Sequence, residues 1–118
     1  MTATLVYLAT PYTLYPHGPE RAFIDAAKCS ARLLLIGIHV YSPIVHFHPI
    51  AEHGKVKGSQ EFWLELDEIM MARCDACVVA HMDGWDKSSG VVHEIAFFKA
   101  AGKPIYDLYI DTLDMVRR

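Results

Sequence analysis

Ser88-Ser89-Gly90-Val91-Val92-His93-Glu94 combines the residue types and spacing of an anion site with an acid beside it. The stretch follows an apolar run, Ala76-Cys77-Val78-Val79-Ala80, that reads as a buried strand, and it opens a helical pattern reaching Ala101. A strand, a turn of small residues and a helix start place unpaired backbone N–H groups and two hydroxyls where an anion can sit. Glu94 lies about one turn into the helix, at ~1.5 Å rise per residue, and faces the same crevice. A carboxylate held beside an anion site suits chemistry on the sugar of a nucleotide. The plainer reading is that Ser88 or Ser89 only caps the helix, while Glu94 is a solvated acid that favours the dipole. This segment alone leaves both readings open.

The other candidates are weaker taken singly. Tyr7 lies near the end of an apolar strand, where a tyrosine is more often a core residue with its hydroxyl satisfied. Asp67 sits off the apolar stripe of a helix, where acids usually face solvent. His46, His48 and His53 fall in one long segment, with His17 in an earlier loop and His93 beside Glu94. H-x-H can bind metal, but no cysteine or acid cluster at a known spacing completes a site, so no metal and no cofactor are expected. Cys74 and Cys77 form C-x-x-C, yet the first ends a helix and the second lies inside the strand. A redox pair belongs instead on the turn after a strand, so both read as packing cysteines.

These residues must be positioned by a single domain spanning residues 1–118. A chain of this size buries roughly two-thirds of its unfolded surface, enough for one core without disulfides or metal. No apolar run approaches the ~18 residues of a membrane span, and the first residues lack the charged start of a signal peptide, so a cytoplasmic protein is expected. A net charge of −3 and a pI near 6.1 give no footprint for nucleic acid. A small anionic ligand remains compatible, because amides and hydroxyls bind anions without net positive charge.

Along the chain, Thr4 to Ala9 reads as strand one, stopped by Thr10-Pro11, and a loop with Pro16 and Pro19 follows. Helix one is expected from Glu20 to Ile36, with Phe23, Ala26, Ala27, Ala31 and Leu34 as its apolar repeat. His39 to Ser42 is a short strand, and Pro43 to Gly58 reads as a long loop. Ser59 opens helix two, which reaches Arg73 with Phe62, Leu66, Ile69 and Met70 as its stripe. Asp75 to His81 is strand three, Ser89 to Ala101 helix three and Ile105 to Leu108 strand four, with a short terminal helix from Asp111. Alternation of this kind predicts an α/β fold: an open parallel four-stranded sheet, order 2-1-3-4, with helices on both faces in a Rossmann or flavodoxin-like manner. Ligands of such sheets bind at the carboxyl ends of the strands, where the three notable loops converge.

Val6-Tyr7-Leu8-Ala9, Asp67 eight residues before Asp75, Ser88-x-Gly90-Val91-x-x-Glu94 and Ala101-Gly102-Lys103-Pro104 occur in an order that resembles the nucleoside 2-deoxyribosyltransferase superfamily. The resemblance spans nearly the whole chain and includes the branch of nucleoside 5′-monophosphate N-glycosidases. Within it, Ser42-Pro43-Ile44-Val45-His46-x-His48-Pro49 and Gly84-Trp85 look like a small domain family of unassigned function. The resemblance implies that Glu94 attacks the anomeric carbon, that Asp67 assists departure of the base and that Tyr7 orients Glu94. Such cleavage passes through an oxocarbenium-like state that a carboxylate stabilises or traps.

Ser88 stands where transferases tend to carry an acid for the free 5′-hydroxyl and monophosphate hydrolases a serine. A carboxylate there would repel phosphate, whereas a hydroxyl at a helix start accepts it. The resemblance therefore implies a (deoxy)nucleoside 5′-monophosphate cradled by Ser88, Ser89 and Gly90, with Lys87 adding charge. Thr10 and Pro11 of the first loop join the substrate contacts, in a turn that lacks the glycine of many relatives. His46 or His48 is expected to bond the base or phosphate from the rim, and Trp85 either to stack on the base or to pack as a lid. The expected function is hydrolysis of the base–sugar bond, the absence of a transferase-like polar tail after strand four counting against transfer. Deoxyribosyl transfer and a non-catalytic nucleotide sensor are the alternatives, and a homodimer is expected from relatives. The P-G-G-x-G-T-x-x-E pattern of cytokinin-nucleotide phosphoribohydrolases is absent.

Overall fold

A computed structural model gives the structure of the protein over residues 4–57 and 60–118. Within these residues, β1 (Leu5–Ala9), β2 (His39–Tyr41), β3 (Ala76–Ala80), β4 (Ile105–Tyr109) and β5 (Asp114–Arg117) form one sheet. The helices are α1 (Pro19–Leu35), α2 (Pro43–His53), α3 (Gln60–Arg73) and α4 (Ser89–Ala100). The strand order is β2-β1-β3-β4-β5, with the first four strands parallel and β5 antiparallel to β4. The expected order 2-1-3-4 holds for the parallel part, but the sheet has a fifth strand.

The period of two along each strand divides the core and aims the site. Val6 and Leu8 join Val78 and Leu108 beneath Ala22, Cys29 and Leu33 of α1. Tyr7 and Ala9 point the other way, joining Cys77 and Val79 beneath Met71 of α3 and Val91 and Phe98 of α4. Because successive side chains alternate, Tyr7 is sent to the face that carries α3 and α4. All three cysteines are buried and unpaired.

The tail from Asp111 is not helical. The chain reverses after Tyr109, and Leu113, at φ 61, helps turn it into β5. Arg118 then donates to both oxygens of Asp107, at 3.0–3.2 Å, and its backbone N–H to Ile105 at 2.8 Å. The strand is only four residues long and mostly exposed, so it carries no clear apolar alternation for the local sequence to reveal. The long loop from Pro43 is also corrected, because most of it is α2. Ser42 caps that helix by accepting from Val45 N–H at 3.2 Å, and Pro43 fits the first position, where no N–H is needed. Pro43 had read as a strand stop, and Pro49 inside the helix hid its period. Gly58 and Ser59, the expected loop end and helix start, lie outside the described residues.

Two apolar stripes are rotated from expectation. In α1 the buried line is Ala22, Ala26, Cys29 and Leu33, while Ala31 and Leu34 face solvent. In α3 Met71 is fully buried, whereas Phe62 and Ile69 are exposed. The rotation turns Asp67 inward. Two motif segments hold the frame together: Asp75 accepts from Leu5 N–H and returns a bond to its carbonyl, both at 2.8 Å. Lys103 donates to the carbonyls of Ala72 and Cys74, each at 2.8 Å, and so closes the C-terminal end of α3. No helix among the described residues is long and apolar enough to cross a membrane.

Candidate active site

Thr10 follows β1, Ile44 follows β2 and Ser88 follows β3, and all three line one cavity of about 530 Å³. It therefore lies outside the carboxyl ends of the strands, where order reverses between β1 and β3. Its polar side is built by Asp67 from α3, His93 and Glu94 from α4, and Ser88 and Gly90 from the turn before α4. Its apolar side is a ring cluster: Phe47 of α2 stacks on Trp63 of α3 at 5.0 Å, and Tyr12 meets Phe47 edge-on at 5.0 Å. Lys57 supplies the ammonium among the described lining residues. A slot between aromatic faces on one side and carboxylates on the other matches a flat ring joined to a polar sugar.

Glu94 is the decisive group. Only 7% of it is exposed, and burial pushes its carboxyl up to about 8. The neighbouring Tyr7 hydroxyl offsets part of that rise, and the charge of Asp67 adds to it. Asp67 is itself raised, to about 6, by desolvation. Tyr7 is driven far above the ordinary phenol range, by burial first and then by Glu94 and Asp67. The three side chains thus sense one another at the floor of the cavity. Around neutral pH the two carboxyls share one proton between them. A pair holding one proton contains both an anion and an acid, the two forms that displacement at carbon with a basic leaving group requires.

The described residues contain three buried side-chain polar atoms without a hydrogen-bond partner: Tyr7 Oη, Thr10 Oγ1 and His93 Nε2. All three gather here, since Thr10 and His93 line the cavity and Tyr7 lies against Glu94 without full hydrogen-bond geometry. Buried polar atoms are normally paired, so unpaired ones around a cavity are atoms that a ligand would satisfy. His93 Nε2 has Glu68 at 3.5 Å, too far for a good bond. Ser88 Oγ accepts from Val91 N–H at 3.3 Å and caps α4, which leaves its own proton free to donate into the cavity. Helix capping and ligand binding are therefore compatible at this residue. A Cβ on Gly90 would meet only Ser88 Oγ, at 3.8 Å, so packing does not require the glycine. Its small size keeps the helix start open to the cavity.

Residues 4–109 match the family described as a domain of unknown function, DUF1937. The chain belongs to the DUF1937 family. No curated protein matches it. A 2-deoxyribosyltransferase from the psychrotolerant bacterium Bacillus psychrosaccharolyticus is similar in structure, with a TM-score of 0.60 and 23% identity. The match covers 89% of this chain and 72% of that one. The DUF1937 chain thus shares its fold with that 2-deoxyribosyltransferase.

In this DUF1937 protein, Tyr7, Asp67 and Glu94 meet as a cluster, with Thr10, Ser88 and Gly90 around them. Five other expected contacts do not line the cavity. Pro11 is sealed in the core and Ser89 is exposed. His46 is exposed beside Tyr41, and His48 is turned toward α1, bonding Tyr12 and Glu20. Trp85 stacks on His81 at 4.0 Å, with Arg118 5.8 Å from its ring, so it packs toward β4 and β5. Lys87 is exposed and does not line the cavity either. The residues the sequence did not single out are Tyr12, Phe47, Trp63 and Lys57, together with a role for His93 in the lining. The first three stand near α2, which was not recognised as a helix. For His93, adjacency to Glu94 was the available signal.

Proposed function

We propose that this DUF1937 protein hydrolyses the N-glycosidic bond of a (deoxy)nucleoside 5′-monophosphate. The observation that carries the reading is a buried Glu94, raised to about 8, sharing one cavity with Asp67. Glu94 as carboxylate adds to C1′ while the C1′–N bond breaks and its electron pair leaves with the base. Asp67, having taken from Glu94 the one proton the pair holds, gives it as acid to the departing nitrogen, a step typically worth ~10²–10⁴-fold. Water then adds to C1′, passes its proton to Asp67 and releases Glu94. Tyr7 holds the glutamate in place. Ser88 and the first amides of α4 accept the phosphate, with Lys57 as counter-charge. The base lies in the slot lined by Tyr12, Phe47 and Trp63.

Transfer of the sugar to a second base is the other reading, favoured by the fold shared with a 2-deoxyribosyltransferase. Chromatography of a nucleoside monophosphate panel after incubation with wild type and Glu94→Ala tests the proposal. Free base and sugar phosphate from the wild type alone support hydrolysis. Capture of the sugar by an added second base moves the assignment to transfer. Binding of monophosphates without turnover, unchanged in Glu94→Gln, makes the protein a nucleotide sensor.

A further inference from the structure

His48 is a buried imidazole whose Nε2 faces two carboxylates at once. Glu20 of α1 stands 2.9 Å from that nitrogen, and Glu52, one turn along α2 from His48, stands 3.1 Å from it. Donor atoms of all three residues lie within 4.8 Å of one another. A neutral imidazole has one Nε2 proton and cannot satisfy both acids with good geometry. Neither glutamate has a lysine or arginine partner among the described ion pairs. A positive species belongs at the point where the three donors converge.

The rest of the histidine is held as a ligand's second shell holds it. Nδ1 lies 2.8 Å from the Tyr12 hydroxyl, and the ring stacks on Phe23 at 4.8 Å with an interplanar angle of 19°. A metal-bound histidine needs its other nitrogen tied and its ring fixed, and both conditions are met before any ion arrives. The acids are exposed and the imidazole is not, so the open side of the cluster faces water, which would complete the coordination.

We propose that Glu20, His48 and Glu52 form a divalent-cation site that pins α2 to α1. One imidazole nitrogen with two carboxylate oxygens suits zinc or manganese better than the all-oxygen set preferred by magnesium or calcium. Metal–ligand distances of about 2.0–2.2 Å require the donors to stand roughly 0.3 Å further apart, which the two exposed glutamates provide by small rotations. With an ion on Nε2, the neutral imidazole carries its single proton on Nδ1 instead, where it donates to Tyr12. The Tyr12 hydroxyl proton is thereby turned away from His48, and Tyr12 lines the cavity. A cation on the outer face of α2 would thus orient a hydroxyl on its inner side. The proposal stands independently of the reaction assigned to Glu94.

The test is calorimetric titration of Zn²⁺, Mn²⁺ and Mg²⁺ into chelator-treated, full-length protein without a histidine tag, with thermal melts alongside. One Zn²⁺ or Mn²⁺ per chain is expected, with the melting temperature raised by several degrees at a hundredfold excess over the dissociation constant. Glu20→Gln and Glu52→Gln, at exposed positions that leave the fold intact, should each weaken binding at least tenfold. His48→Gln should abolish it, with its fold checked by circular dichroism. Binding undiminished in both glutamine variants would place the ion on other surface histidines and overturn the site. Absence of one-to-one binding by the wild type at millimolar metal would overturn it too.

Discussion

At the scale of single residues, the strongest physical statement concerns the proton on Glu94. Its carboxyl is lifted from an ordinary value of 4.5 to about 8, chiefly by burial. A folded-state value above the unfolded one means that the folded protein holds the proton more tightly. The associated stability is complete at low pH and is lost as pH rises from about 4.5 through about 8. Glu94→Gln removes that penalty. It should stabilise the protein by about 2–3 kcal/mol at pH 7, with a gain that vanishes near pH 4, as urea melts at several pH values would show. The same variant should release no base. In the wild type, kcat/KM should follow a bell with limbs near 6 and 8, set by the Asp67–Glu94 pair, and Asp67→Asn should erase one limb. His93→Phe keeps a ring but removes the unpaired Nε2, so a three- to tenfold rise in KM is expected with little change in melting temperature.

At the scale of elements, α4 is started by the residue that also faces the ligand. Ser88→Ala loses the cap and should cost about 1 kcal/mol. Ser88→Asp keeps a capping oxygen but sets a charge against phosphate. Its melting temperature should stay near that of the wild type while the KM for monophosphates rises far more than for nucleosides. Measuring both substrates on both variants separates capping from recognition. The two tryptophans make a second contrast. Trp63, stacked on Phe47 across α2 and α3, forms a cavity wall, so Trp63→Ala should raise KM at least tenfold. Trp85 packs against His81, away from the cavity, and Trp85→Ala should lower stability by about 1–2 kcal/mol while KM stays unchanged.

At the scale of the whole molecule, β5 is attached to a sheet that was already a complete parallel unit. Its clamp is the Arg118 fork on Asp107, which is shared with His81 at 2.8 Å. Burial alone would raise Asp107, but Arg118 and His81 outweigh it and hold the carboxyl below its usual range. A lowered folded-state value contributes stability above the ordinary carboxylate range that is lost as pH falls through the folded value. Arg118→Met should cost about 1 kcal/mol at pH 7, a modest figure because the arginine is partly solvated, and nothing once Asp107 is protonated. Hydrogen exchange should show β5 opening while β1 and β3 stay protected.

The alternation of apolar runs with capped helical periods determined the parallel core and its strand order, because each signal is local and burial on both faces leaves few ways to assemble them. It also put Tyr7 and Thr10 in and just after β1 and Ser88 and Glu94 at the start of α4, since strand period and helix starts are local properties. Tertiary structure alone decided which face of a helix is buried and which segments oppose each other. Asp67 looked solvent-facing until the stripe of α3 proved to be rotated toward Met71, and the aromatic slot exists only because α2 folds beside α3. His48 was assigned to the ligand rim from a segment read as a loop, but a helix with a 3.6-residue period turns it toward α1 and the two acids. Contacts between distant segments are chosen by the burial and pairing they jointly complete, and no window of neighbouring residues contains that sum.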